Sequence, residues 1–145
     1  MGYRVLPRAD AFWRPSNMLG VLNTDLAKQL EASELAARLW RLQPGQASTR
    51  HRHAQQQELY LVLEGTGRIR IGEDEGALTL EPLSALVVDA ETVRQVFNDT
   101  SEDALWLVVG APVEAVTSTL EMTPELLALM YPDGPRALPP ELAGS

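Results

Sequence analysis

The chain has 145 residues, no cysteine, a net charge of −8 and a pI near 4.7. One domain with a real core is expected at this length, and the missing cysteine excludes disulfides, thiolate metal sites and cysteine nucleophiles. The acidic balance argues against nucleic acid and against an anionic membrane surface as partners.

No apolar run approaches the ~18–20 residues of a membrane span. No basic stretch followed by an apolar run opens the chain, so no secretory leader is expected. The absence of cysteine fits a reducing compartment, and the expected location is cytoplasmic.

In chain order, residues 1–34 read as a mixed arm. Tyr3 to Leu6 suits a short edge strand stopped by Pro7, and Trp13 to Asn17 suits a turn. Thr24 is placed to cap a short helix through Leu30, with Asp25 favourable in its first turn. The arm is expected to pack across the body of the protein or onto a partner subunit.

From Leu35 the pattern becomes β, with short apolar runs separated by turn residues. Eight strands are expected, over about 35–43, 49–53, 58–63, 68–71, 77–80, 84–88, 93–98 and 104–109. Gly72 to Gly76 reads as an acidic, solvated hairpin tip. Short turns between short strands predict an all-β, antiparallel double-sheet barrel over 35–111 rather than βαβ units. Residues 112–145 form a last segment. Thr123-Pro124-Glu125 is a helix start, a cap followed by proline at the first helical position. The helix is expected to run to about Tyr131 and to dock through Leu126, Leu127, Leu129 and Met130. Beyond it the proline-rich tail is expected to be extended.

The only two histidines are His51 and His53. In an extended segment residues two apart share a face, so both imidazoles project one way and Arg52 the other. A turn after them allows Glu58 to return to the same place from the next strand. Two imidazoles and one carboxylate suit a first-row divalent metal.

The stretch Gly45 to Gly65 resembles the first motif of the cupins: Gly, five residues, His-x-His, four residues, Glu, six residues, Gly. The resemblance implies a double-stranded β-helix (jelly-roll) barrel with short helical segments at both ends. It also implies a homodimer, and a divalent metal (Fe, Mn, Zn or Ni not distinguished) on His51, His53 and Glu58. In the stretch resembling the second motif, Asp89 to Asn98, Asn98 matches, but Asp89 and Glu91 replace proline and glycine. Arg94 stands where a third histidine ligand is found.

Guanidinium stays protonated and cannot ligate a metal. Three placements of Arg94 are open: orienting a substrate anion at a three-ligand metal, pairing with Glu58 in a metal-free barrel, or pointing outward to Asp89, Glu91 or Asp99. Alternation along 93–98 puts Arg94, Val96 and Asn98 on one face, and the resemblance to the second motif implies that this face is inside. Other candidate ligand contacts are Tyr60, which shares the parity of Glu58, and Trp40 and Arg38 on the first strand. For Trp40 the alternative is plain core packing, and for Arg38 a solvated face. The partner expected in the barrel is a small, anionic organic molecule. Two function classes remain open, a metal-dependent enzyme of dioxygenase or isomerase type and a binding or regulatory module without turnover.

Overall fold

The computed structural model describes residues 2–73, 76–114 and 119–143. Its nine strands are β1 (Arg14–Pro15), β2 (Leu22–Asp25), β3 (Ala36–Leu42), β4 (Gln57–Glu64), β5 (Gly67–Ile71), β6 (Ala77–Leu80), β7 (Ala85–Val88), β8 (Arg94–Phe97) and β9 (Ala104–Ala111). They form a six-stranded sheet, β1-β2-β3-β9-β4-β7, and a three-stranded sheet, β6-β5-β8. Every pairing is antiparallel. This is the antiparallel double-sheet barrel expected from the strand pattern and, in its topology, the double-stranded β-helix that the resemblance implies.

Alternation sorts each strand into an inner and an outer face. On β4, Glu58, Tyr60 and Val62 are buried while Leu59 is exposed. Register then assembles rows across the inner face of the large sheet. Trp40, Trp106 and Val62 form one row, Arg38, Val108 and Tyr60 a second, and Ala36, Gly110 and Glu58 a third. Leu42, Val62, Ile69, Val96 and Trp106 fill the space between the sheets. Each buried aliphatic side chain contributes about 1.5–3 kcal/mol. The six strands expected from 58 to 109 and the first from 35 to 43 lie within two residues of those observed.

The differences concentrate where the backbone finds partners other than a regular ladder. Residues 49–53 make no ladder strand, only an isolated bridge from His51 to Arg94, with another just before them from Ala47 to Phe97. In the arm, Tyr3 to Leu6 is not a strand, and two short strands lie further on, at β1 and β2. Thr24 belongs to β2, so the cap of helix α1 (Leu26–Gln29) is Asp25, whose carboxylate accepts from the Lys28 amide at 2.9 Å. Asp74 and Glu75 of the expected acidic tip lie outside the described residues.

Helix α2 (Pro124–Met130) starts as the sequence predicts, with Thr123 Oγ1 accepting from the Leu126 amide. Of its four apolar residues Met130 is buried and Leu129 exposed. The tail is turned rather than extended. Gln95 Nε2 donates to Ala137 O at 2.8 Å, Arg70 pairs with Glu141 at 2.7 Å, and Pro139 is buried. Among the described residues no helix is long and apolar enough to cross a membrane.

Candidate metal centre

The two glycines that bracket the motif have a physical reason. Gly45 has φ +86° and Gly65 φ +74°, and a Cβ on Gly65 would clash with Asp103 O. Only glycine takes such backbone readily. Between them the chain is laid against β8 by short hydrogen bonds. His51 N donates to Arg94 O (3.0 Å), Arg94 N donates to His51 O (2.8 Å), and His53 N donates to Ala90 O (2.7 Å). These bonds hold the segment extended, so both imidazoles face inward, where β4 delivers Glu58.

His51, His53 and Glu58 each offer a ligand atom within 4.8 Å of the others, and the three can hold a metal. Glu58 Oε1 lies 3.2 Å from His53 Nε2 and 3.5 Å from His51 Nε2. Two donors each about 2.1 Å from one ion stand roughly 3.0–3.4 Å apart, so the spacing fits a shared metal. The other ring nitrogens are held from behind. His51 Nδ1 lies 3.0 Å from Thr49 O, and His53 Nδ1 lies 3.1 Å from Glu114 Oε2. Such acceptors place the proton on Nδ1 and leave the Nε2 lone pair free for a metal. His53 Nε2 is buried and makes no hydrogen bond. An orphaned buried nitrogen, aimed at a carboxylate in this donor set, fits a divalent cation.

Glu114 was not singled out from the sequence. Its Oε1 accepts from the amides of Ala54, Gln55 and Gln56 at 2.9–3.1 Å, fixing the turn between the histidines and β4. Burial opposes its charge, but the Gln55 amide, His53 and the Gln56 amide prevail and hold its pKa below 4.5. Burial likewise opposes charge on Glu58, yet the neighbouring imidazoles outweigh it, and the pKa falls well below 4.5. For His53, burial is outweighed by Glu58 and then Glu114, which raise its pKa above 6.5. Tyr60 donates to Glu58 Oε1 at 2.9 Å, and burial followed by that carboxylate pushes its own pKa well above 10, so the phenol remains a donor.

Arg94 points inward, as the resemblance to the second motif implies, and is 1% exposed. Its guanidinium donates to Val88 O (3.3 Å), Asp89 O (3.0 Å) and Ala90 O (3.3 Å), and its Nε lies 3.8 Å from Glu58 Oε1 without a hydrogen bond. It does not line the cavity. The structure thus places Arg94 behind Glu58 rather than on the wall where a substrate contact was expected. Unit charges at that separation attract by roughly 4 kcal/mol at an effective dielectric of 20. By the same rule a dication about 5 Å from the guanidinium is repelled by roughly 6–7 kcal/mol, so Arg94 opposes a metal that Glu58 attracts.

A cavity of about 1070 Å³ opens in front of the cluster and is lined by His51, His53, Glu58, Tyr60, Trp40 and Arg38 among others. The structure therefore brings three of the four expected ligand contacts to one space with the metal candidates. Arg38 is partly exposed but held in place: it pairs with Asp25 at 3.0 Å and donates to Asn23 Oδ1 at 2.9 Å. Tyr131, also unforeseen as a site residue, lines the cavity with its ring centroid 6.3 Å from that of His51. Arg52, on the back of the His-x-His segment, holds it there by donating to the carbonyls of Leu129 (2.6 Å) and Met130 (2.8 Å).

Comparison with known proteins agrees with this geometry. The cupin domain model matches residues 38–110. Among solved structures, a sugar phosphate isomerase of the cupin superfamily from Silicibacter pomeroyi is 25% identical, with 76% of each chain covered and a TM-score of 0.67. A predicted oxalate decarboxylase from Thermotoga maritima is 19% identical, with 76% of this chain and 100% of that chain covered and a TM-score of 0.65. KdgF from Halomonas sp. is 17% identical, with 77% and 96% covered and a TM-score of 0.64. The last two show likeness of fold alone. No curated protein matches the chain. With the cupin model matching half of its length, on a double-stranded β-helix that carries the His-x-His and glutamate set, the chain belongs to the cupin family.

Proposed function

We propose that this cupin is a metal-dependent enzyme acting on a small, anionic, oxygen-rich metabolite, with an isomerase-type reaction favoured. The observation that carries the reading is the convergence of His51 Nε2, His53 Nε2 and Glu58 Oε1 at the wall of a cavity of about 1070 Å³. Three protein donors leave coordination positions open toward that space, the arrangement of catalytic rather than closed structural sites. A divalent metal held there supplies Lewis acidity to a substrate carbonyl or hydroxyl oxygen. The residues of the chain supply the rest. Tyr60 keeps Glu58 oriented, Glu114 and Thr49 fix the imidazoles, and Arg94 braces the wall behind them. The likeness to a sugar phosphate isomerase, at 25% identity, supports an isomerase over other cupin chemistries.

A second reading, a binding module without turnover, is favoured by Arg94. Glu58 is already compensated by two imidazoles, a phenol and a guanidinium, so the barrel can fold without a metal. Metal content of untagged protein, expressed with iron, manganese, zinc or nickel supplements, separates the two. One equivalent in the parent, lost in Glu58→Ala, is expected. A parent that holds no metal under any supplement sinks the enzyme reading.

A further inference from the structure

We propose that Arg38, assisted by Lys28, binds the terminal phosphate of an elongated substrate whose other end reaches the His51–His53–Glu58 cluster. The proposal rests on the reading that this cluster holds a metal that accepts a substrate oxygen, and it adds the substrate class and the second anchoring point.

Register fixes the separation. Asp25 pairs with Arg38, Arg38 with Val108, and Val108 with Tyr60, so these four residues form one row across β2, β3, β9 and β4. Adjacent strands lie about 4.8 Å apart, which puts the Arg38 backbone roughly 10 Å from that of Tyr60. Tyr60 in turn touches the carboxylate of the metal cluster at 2.9 Å. Both ends open onto the same cavity. A chain of about five carbon atoms bearing a terminal phosphate spans such a distance, given C–C bonds of about 1.5 Å.

The chemistry of the far end suits an anion. Asp25 and Asn23 occupy two of the donors of Arg38 and hold the side chain in place. A guanidinium carries five donors, and the contacts of Arg38 among the described residues use two of them. Lys28 stands on α1, which packs on β3, and lines the same cavity. Among the described residues it forms no ion pair. Arg38 and Lys28 against Asp25 leave this end cationic in a chain whose net charge is −8. Two cations with spare donors match a dianionic phosphate better than a single carboxylate.

The wall between the two ends is Trp40, Trp106 and Val108, without a charge, so the charged groups of a ligand are met at the two ends.

Calorimetric titration with aldonates of three, four and five carbons, each with and without a terminal phosphate, tests the proposal on manganese-loaded and metal-free protein. The phosphate is expected to tighten binding roughly 10–100-fold at four or five carbons and much less at three. Arg38→Met should abolish that gain while leaving the unphosphorylated acids within about twofold, and Arg38→Lys, which can keep the pair with Asp25, should lose about tenfold. Lys28→Met should give a smaller loss, about threefold. A phosphate gain that survives both Arg38 variants, or no gain at any length, overturns the proposal. Failure of the metal reading looks different: the unphosphorylated acids would then bind equally with and without manganese, whatever residue 38 is.

Discussion

Glu58 has two unlike flanks. Toward the cavity it meets His51 and His53, whose Nε2 atoms stand 3.5 and 3.2 Å away. Toward the second sheet it meets Arg94 at 3.8 Å, buried and bonded to three carbonyls. Both flanks present positive partners to one carboxylate, but only one can change. An imidazole gives up its proton and offers a lone pair, whereas a guanidinium does neither. The cavity flank is therefore chemically switchable and the Arg94 flank is fixed. Glu58 joins the two and so sets how far a structural charge opposes a metal.

The comparison breaks most visibly if the fixed flank is removed. Arg94→Met should destabilise the metal-free protein by about 3–5 kcal/mol in urea unfolding, because three carbonyls and a buried carboxylate lose their cation. In the molecules that remain folded, metal affinity should rise, as should that of Arg94→His. A stability loss under about 1 kcal/mol, or unchanged metal affinity in both variants, would mean that the two flanks do not share Glu58 as described.

The switchable flank is sharpened by Glu114. Glu114→Ala should weaken metal binding about 10–100-fold, the usual effect of losing a carboxylate behind a histidine ligand. Competition with a chromogenic chelator reads that change directly. Glu114→Gln retains an oxygen for the amides of Ala54, Gln55 and Gln56 and should recover part of the loss. If Glu114→Ala unfolds the turn but the folded fraction keeps its affinity, Glu114 is a loop fastener and nothing more.

How far these flanks were legible in the sequence follows from where their partners lie. His51, His53 and Glu58 fall within eight residues, and the period of an extended chain alone puts the imidazoles on one side. Arg94 could be oriented by its place in the second motif, but its partners are backbone carbonyls of residues 88–90, which no residue type announces. Glu114 sits 61 positions from His53, beyond the end of β9, and an acid there looks like any surface acid. Tyr131 closes the helix that Thr123-Pro124 announces, and only the docking of Arg52 on Leu129 and Met130 makes it a cavity residue. In the fold the same rule holds. Strands that are apolar runs bounded by turn residues, such as β4 and β9, were legible. The two-residue β1 and the bridges at Ala47 and His51 were not, because tertiary pairing rather than pattern forms them.

The smallest effect is expected from an arginine–carboxylate pair that shares the chemistry of Arg94 and Glu58 without their burial. Arg70 Nε donates to both carboxylate oxygens of Glu141 at 2.7 and 2.9 Å, and the two side chains keep 25% and 18% of their exposure. The hydrogen bond from Arg70 is the main reason the Glu141 pKa lies below 4.5. A carboxyl with a lowered folded pKa stabilises fully above its unfolded value and loses that contribution as pH falls through the folded one. Glu141→Gln should therefore cost about 0–1 kcal/mol at pH 7, the range of a solvent-screened pair. The gap between parent and variant should begin to close below about pH 4.5. Urea midpoints at pH 7, 5 and 3 measure it. A gap that stays constant to pH 3 would assign the effect to packing of the tail near Pro139 rather than to charge. A gap above about 2 kcal/mol at pH 7 would mean that exposure does not separate this pair from Arg94 and Glu58, and burial would lose its place as the reason the flank behind the metal centre is fixed.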